Sequence, residues 1–353
     1  MLSLSRPRLP AVVALLLSTA CSRPAPSAIV PPAAVTNSSA APAPASETAA
    51  SPGPPPVVHD TTEPTPIVEP AEAFRRGWMP LRPTGVPAFL AAHPTYDGRG
   101  VIIGILDSGQ DPGIPGLGKT TTGDRKLLDL RDFSGEGAVT LTPATPEGDQ
   151  LIVGGRPLSG IARLRGLRVG TGMWVGTLAE LSLGDLPASD LNGDRDNSDT
   201  LALVVLRATD GWVLFADTDG DGSLADETPV RDYLVARETF AWHSGKRPAQ
   251  LNLAANFTTT TGGAPRLDLF FDTSAHGSHV AGIAAGHQLY GITGFDGVAP
   301  GAWLLGLKIA NNAQGGISTS GSMLAAMDYA IRFAARRRAP LVLNLSFGVG
   351  NEA

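Results

Sequence analysis

The apolar run at residues 101–106 constrains the fold of this chain more than any other feature. Six consecutive residues, VIIGIL, stand between a glycine at position 100 and Asp107. A short apolar run between turn residues is typical of a strand that is buried on both faces, as in a parallel sheet. The sequence therefore predicts a buried parallel strand that places Asp107 at its carboxyl end, where α/β folds carry their functional groups.

Later segments alternate between helix and strand patterns. We predict a helix at 278–286, a strand at 303–309, a helix at 322–336 and a strand at 341–345. This alternation indicates an α/β fold, with a parallel sheet flanked by helices and right-handed crossovers. Residues from about 126 to 272 instead show short alternating stretches separated by Gly, Asp and Pro turns, which predict a β-rich insertion.

The first 73 residues are predicted to lie outside this domain, which spans 74–353. Residues 1–21 combine Arg6 and Arg8 with an apolar run and small residues before Cys21, the layout of a secretory signal peptide with a lipobox cysteine. Ser18 stands where a lipobox has leucine, so an ordinary signal peptide is the alternative. Residues 22–73 are rich in Pro, Ala, Ser and Thr and predict a disordered tether. We expect a bacterial envelope protein, lipid-anchored through Cys21 or secreted.

Charge limits the classes of partner. The formal net charge is -6 and the chain has no basic block, which argues against a nucleic-acid partner and against an anionic membrane surface. The triple arginine at 336–338 ends a predicted helix, where cations meet the negative end of the helix dipole. With one cysteine, a disulfide within the chain is excluded. The sequence leaves the oligomeric state open.

The string HGSHVAG at 276–282 is the most specific signal. Its small residues let a helix start close to a neighbouring strand, with His276 at the entrance. The chain carries four such strings in this order: ILDSG at 105–109, HGSHVAG at 276–282, GVAPGA at 297–302 and LNLSFG at 343–348. Together they resemble the subtilisin-like serine peptidases, the subtilase or peptidase S8 family. The long interval between Asp107 and His276 further resembles the tripeptidyl-peptidase II-like branch.

This resemblance implies hydrolysis of peptide bonds by a Ser-His-Asp mechanism that requires no cofactor. Asp107 would orient the imidazole of His276, and His276 would act as the general base. The second histidine of the string, at position 279, would be structural. A peptide or protein substrate would bind as an added strand along Ser346, Phe347 and Gly348.

The family pattern also places its nucleophilic serine and its oxyanion asparagine downstream of the substrate strand. Neither motif occurs before Ala353, and Ser322, which precedes that strand, is predicted to cap a helix. We therefore predict the amino-terminal part of a peptidase, inactive as this chain alone. The alternative is a surface-tethered peptide-binding or structural remnant without catalysis.

The specificity of the implied peptidase stays open at this stage. In the tripeptidyl-peptidase II-like branch that this sequence resembles, acidic residues hold the free amino group of the substrate. Val349 and Ser318 stand at about those positions in this sequence. Endopeptidase action and tripeptide release are therefore both compatible with the sequence.

Two acidic runs are candidate calcium loops. Asp217, Asp219 and Asp221 alternate and are followed by Gly222, like the start of an EF-hand loop, whose oxygen ligands suit Ca²⁺. The twelfth position of that loop is Thr228 instead of glutamate. A second run repeats the spacing without the glycine, at Asp190, Asn192, Asp194 and Asp196. The alternative for both runs is a solvated acidic turn.

Overall fold

A computed structural model describes most of the chain between residues 81 and 348. The described residues are 14–16 (backbone alone), 72, 79, 81–170, 172–180, 183, 190–192, 196–243, 251–316 and 318–348. Cys21, almost all of the predicted tether at 22–73, Asp194 and Val349 lie outside the described residues. What the sequence indicates for them stays a prediction.

A parallel sheet forms the centre of the fold. Its strands are β1 (Ala14–Leu16), β2 (Ile102–Asp107), β3 (Leu127–Asp132), β15 (Trp303–Lys308) and β16 (Leu341–Leu345). They lie in the order β1-β16-β2-β15-β3, and every neighbouring pair is parallel. The predicted α/β architecture is confirmed, and the three predicted strands fall within one residue of their observed bounds.

The α-helices of the described residues are α1 (Val86–Ala92), α2 (Tyr233–Ala236), α3 (His276–Ala285) and α4 (Ser320–Arg337). Short 3₁₀ turns lie at Arg82–Thr84, Ile161–Gly166, Leu289–Gly291 and Asn312–Gln314. Within the described part of the chain, no helix has the length and apolar composition needed to cross a bilayer.

The start of α4 differs from the sequence prediction. Ser322 does not cap this helix; the Oγ1 of Thr319 does, by accepting a hydrogen bond from the backbone N–H of Ser322 at 3.1 Å. The helix thus begins two residues earlier than predicted, because a threonine hydroxyl at Thr319 satisfies one of its free N–H groups. Arg336 and Arg337 lie in the last turn, next to the negative end of the helix dipole.

Both faces of β2 are buried, which explains its continuous apolar run. On one face, Ile105 belongs to a cluster that includes Ala281 of α3. On the other face, Ile102 and Leu106 belong to a cluster that includes Ala330 of α4. Because successive side chains point to opposite faces of a strand, helices on both sides require apolar residues at every position.

The interval between β3 and α3 is rich in antiparallel strands. They are β4 (Ala138–Val139), β5 (Thr142–Ala144), β6 (Leu151–Val153), β7 (Arg156–Leu158), β8 (Met173–Ala179), β9 (Thr200–Ala208), β10 (Gly211–Ala216), β11 (Val230–Arg231), β12 (Phe240–Trp242), β13 (Leu251–Thr259) and β14 (Pro265–Phe270). One sheet has the order β11-β10-β9-β8-β5, a second has the order β12-β13-β14-β4, and β6 pairs with β7. Apolar side chains of both sheets share one buried cluster, so the β-rich region has a core of its own.

The boundary of the predicted insertion needs a correction at its start. The prediction begins at about 126, but β3 pairs with β15 and so belongs to the parallel sheet. The β-rich region therefore begins after Asp132. The misplacement has a physical cause in Asp129, a buried carboxylate in the middle of β3 that is paired at 2.9 Å with the guanidinium of Arg131. A buried charge that is paired within a strand gives the sequence the polar alternation of a half-exposed strand.

Candidate active site

Asp107 and His276 come together at the carboxyl edge of the parallel sheet. Asp107 is the last residue of β2 and His276 is the first residue of α3, and the Nδ1 of the imidazole lies 2.7 Å from Oδ1 of the carboxylate. The Asp107 side chain is 4% exposed, whereas the His276 side chain is 55% exposed. A buried carboxylate thus holds one ring nitrogen, while the rest of the ring faces solvent.

Glycine at 277 allows this close approach of helix and strand. A Cβ atom on Gly277 would lie 2.0 Å from the carbonyl oxygen of Gly109 and 3.0 Å from the Cβ of Asp107. Atoms cannot pack at 2.0 Å, so a side chain at this position would push α3 away from β2. The small residue that the sequence pattern singled out is therefore required by the distance between the two elements.

The carboxylate of Asp272 organises the entrance of α3. Its Oδ1 accepts the backbone N–H groups of Ser274 and Ala275, and its Oδ2 accepts the N–H and the hydroxyl of Ser278. Several N–H groups at the start of a helix have no partner inside the helix, and a carboxylate there satisfies them. Ala275 takes a left-handed backbone conformation with φ of 60°, which turns the chain directly before His276.

Two serines connect this entrance to the end of β2. The hydroxyl of Ser108 donates to Asp272 and accepts from the N–H of Gly277, each at 3.0 Å. The hydroxyl of Ser278 accepts from the N–H of Asp111 at 2.8 Å. The backbones on either side of the Asp107–His276 pair are therefore fixed to each other by side-chain hydrogen bonds. As a separate effect, burial raises the pKa of the Asp111 carboxyl above its ordinary value.

A buried ion pair lies behind Asp107. Lys308 ends β15 and is paired in register with Asp107, and its Nζ donates to the carbonyl oxygen of Ser108. The same Nζ lies 2.9 Å from Oε2 of Glu136, with both side chains fully buried. Oε2 of Glu136 also accepts the N–H of Asn312 at 3.0 Å. Sequence reasoning missed this pair; its only signal is a lysine at the carboxyl end of an apolar strand.

The second histidine of the helix occupies a different position. His279 lies on α3 three residues beyond His276 and is exposed. Its backbone N–H donates to the carbonyl of Ala275, as expected in a helix. Among the described residues, the hydrogen bond to Asp107 is made by the His276 ring and not by His279. The geometry thus distinguishes the two imidazoles.

The predicted substrate residues follow β16, the neighbour of β2. Leu345, the last residue of β16, pairs with Leu106, so Ser346 comes level with Asp107 at the same edge of the sheet. Ser346 and Gly348 are exposed, and Phe347 is partly buried. Residues 346–348 therefore follow the end of β16 beside Asp107, with Ser346 and Gly348 exposed.

The two acidic runs both lie in the β-rich region. One carboxylate oxygen from each of Asp217, Asp219 and Asp221 lies within 4.8 Å of the others. The same holds for a group of Glu180, Asp196 and Asp199. The structure brings the first predicted set together; in the second, Glu180 and Asp199 are residues that the spacing did not indicate.

Comparison with known proteins identifies the family. A family model described as Peptidase_S8, the subtilase family, matches residues 98–353. The chain belongs to the subtilase family. The match begins just before β2 and includes both members of the Asp107–His276 pair.

Individual relatives agree with this assignment. Tripeptidyl-peptidase 2 from Oryza sativa subsp. japonica is 28% identical over 80% of this chain and 24% of its own length. Pyrolysin from Pyrococcus furiosus is 30% identical over 55% of this chain and 15% of its own length. The chain therefore spans about a quarter or less of the curated relatives it matches.

A solved structure shows the same fold. The crystal structure of tripeptidyl peptidase 2 (TPP II) matches with a TM-score of 0.55 and 22% identity, over 75% of this chain and 25% of that chain. The subtilisin-like α/β fold expected from the sequence is thus confirmed.

Proposed function

We propose that Asp107 and His276 are the carboxylate and the general base of a serine-type peptidase. The observation that carries this proposal is the 2.7 Å contact between His276 Nδ1 and the buried Asp107. A carboxylate on Nδ1 fixes the tautomer in which Nε2 has a free lone pair, and that lone pair can take a proton from a hydroxyl. The exposure of the imidazole leaves room for such a hydroxyl.

The proposed reaction is acyl transfer to a serine, followed by hydrolysis of the acyl-enzyme. A serine hydroxyl attacks the carbonyl carbon of the scissile peptide bond while Nε2 of His276 takes its proton. The imidazolium formed is stabilised by the ionised carboxylate of Asp107. It then returns the proton to the nitrogen of the leaving amine as the C–N bond breaks. Water repeats the sequence on the acyl-enzyme and regenerates the serine.

Residues 346–348 are proposed to hold the substrate. They follow the end of β16 next to Asp107, with Ser346 and Gly348 exposed, and an extended peptide can pair with backbone groups there as an added strand. Main-chain hydrogen bonds would fix the scissile bond over the imidazole. Both endopeptidase action and release of short peptides from an end are consistent with such a strand.

The serine and the oxyanion donors are proposed to come from sequence that follows Ala353. Preorganised donors at the oxyanion are usually the largest single contribution to the rate of acyl transfer. We therefore expect residues 1–353 alone to bind peptides without turnover. Anchoring at a bacterial envelope through a lipid on Cys21 is part of the same proposal; a Cys21→Ala variant should lose incorporation of a labelled fatty acid.

The experiment compares the product of the complete reading frame with residues 1–353 alone. Both are treated with a fluorophosphonate probe, which reacts with activated serines, and with fluorogenic peptides. We expect labelling and hydrolysis by the complete product and neither by residues 1–353. If the complete product neither labels nor hydrolyses peptides but still binds them, the peptide-binding alternative replaces the peptidase.

A further inference from the structure

An acidic loop follows β10 and faces a cavity of about 550 Å³ in the β-rich region. This acidic loop comprises residues 217–222. Four carboxylates, those of Asp199, Asp217, Asp219 and Asp221, are among the residues that line the cavity, against one guanidinium, that of Arg156. The cavity is therefore predominantly negative, which favours a cationic occupant.

The distances within the acidic loop fit one bound ion. Oxygens of Asp217, Asp219 and Asp221 lie within 4.8 Å of one another. Ca²⁺ binds oxygen ligands at about 2.3–2.6 Å, so two oxygens on the same ion lie at most about 5 Å apart. A cation between these carboxylates would offset their mutual repulsion.

Asp217 supplies an observation independent of the clustering. Its side chain is buried, with 8% of the residue exposed, and its Oδ1 has no hydrogen-bond partner among the described residues. A buried carboxylate oxygen without a partner is costly, and a metal ion is one of the few groups that can satisfy it.

The remaining groups of the loop hold its shape. The Oδ2 of Asp217 accepts the N–H of Gly222 at 3.2 Å, and Gly222 has a positive φ of 77°. Glu227 is not part of the cluster of three, and one of its oxygens accepts the hydroxyl of Thr218 at 2.7 Å. The carboxylates of Asp217, Asp219 and Asp221 thus lie together, while Glu227 secures the loop through Thr218.

We propose that the acidic loop binds one Ca²⁺ ion through the carboxylates of Asp217, Asp219 and Asp221. The ion ties the end of β10 to the chain that leads to β11 and so stabilises the β-rich region. This site is independent of the Asp107–His276 pair and of peptidase activity.

The test measures Ca²⁺ binding to the full chain after removal of metal with EDTA. Calorimetric titration gives the affinity, and thermal unfolding gives the stabilisation that a ligand of the native state must produce. Terbium serves as a second probe, since Trp242 lines the same cavity and can sensitise its emission. We expect one site, a higher Tm with Ca²⁺ than with the same concentration of Mg²⁺, and loss of terbium emission on adding Ca²⁺.

Matched variants locate the ion. Asp219→Asn and Asp221→Asn each remove one ligand charge and should weaken Ca²⁺ binding by about tenfold or more. Asp226→Asn removes the same charge from an exposed neighbour outside the cluster and should leave the affinity unchanged. Absence of binding heat and of any Tm shift at millimolar Ca²⁺ would overturn the proposal. So would an equal loss in Asp226→Asn, which would indicate diffuse charge instead of a site.

Discussion

The ammonium of Lys308 lies 2.9 Å from the carboxylate of Glu136, and both side chains are fully buried behind Asp107. The ammonium also donates to the carbonyl of Ser108, the residue that follows Asp107. A charge pair thus fixes the end of β15 against the turn that carries the Asp107–His276 pair. The pair holds backbone, since Lys308 donates to the carbonyl of Ser108 and Glu136 accepts the N–H of Asn312.

Removing one member of this pair should be strongly destabilising. Lys308→Met leaves Glu136 as an uncompensated buried charge, and we expect a loss of about 3–5 kcal/mol in the free energy of unfolding. The double variant Lys308→Met with Glu136→Leu removes both charges and should recover most of that loss. Urea unfolding of the two variants measures this. A loss below about 1 kcal/mol in Lys308→Met would show that the pair is not desolvated.

Two glycines of α3 should respond oppositely to alanine. At Gly277 a Cβ would lie 2.0 Å from the carbonyl oxygen of Gly109, so Gly277→Ala should cost about 2–3 kcal/mol and move His276. At Gly282 a Cβ would make an ordinary contact at 3.8 Å with Leu289. Gly282→Ala should therefore stabilise the helix by about 0.5–1 kcal/mol. Thermal unfolding compares them; equal effects would contradict the close approach of α3 and β2.

Lys126 should make stability depend on alkaline pH. Its buried ammonium donates to the carbonyls of Pro300 and Ala302 at 2.7 and 3.1 Å, and burial lowers its pKa to about 8. Between pH 8 and the unfolded value of 10.5 the unfolded chain binds a proton that the folded chain does not. Stability should therefore rise through this range, by on the order of 3 kcal/mol.

Two variants separate the contribution of Lys126 to the pH dependence of stability from the contributions of other titrating groups. Lys126→Met should flatten the rise in unfolding free energy, whereas Lys119→Met, at an exposed position, should keep it. Chemical denaturation at several pH values gives, for each variant, the slope of unfolding free energy against pH. An unchanged slope in Lys126→Met would mean that the ammonium keeps its ordinary pKa.

The hydrogen bond at His276 can be examined in residues 1–353 by a measurement that does not depend on turnover. With Asp107 as acceptor, the neutral ring should carry its proton on Nδ1. Asp107→Asn should shift it to Nε2, because an amide can donate to Nδ1. Nitrogen NMR of labelled histidine reports the tautomer. His287, whose Nδ1 lies 3.0 Å from Asp296, is the internal control and should not change. An unaltered His276 spectrum would contradict the observed pairing.

The strand and the helix that carry Asp107 and His276 could be predicted from the sequence, because each has a distinctive local pattern. An apolar strand ending at Asp107 and a run of small residues around His276 each indicate their own element. The Lys308–Glu136 pair could not be predicted in this way, since its members belong to distant segments and neither has a distinctive neighbourhood. The cap of α4 was misplaced for another reason: Thr319 and Ser322 are both capping residues, and only backbone geometry decides between them.

In the β-rich region, too, some features could be predicted from the sequence and others could not. Short alternating stretches between turn residues predict strands here, and the structure has antiparallel strands, so the β-rich character of the region was expected. The extent of the region was not, because Asp129 inside β3 is paired with Arg131 and resembles an exposed position in the sequence. A buried charge that is paired with another residue cannot be distinguished from an exposed charge by the sequence alone.

The most direct test of the account compares two histidines on one helix in the product of the complete reading frame. His276→Ala removes the proposed general base and should lower kcat/KM for peptide hydrolysis by about 10⁴-fold or more. His279→Ala makes the same substitution at an exposed position one turn away and should change kcat/KM by less than about threefold. Equal losses in the two variants, or full activity in His276→Ala, would contradict the assignment of His276 as the base.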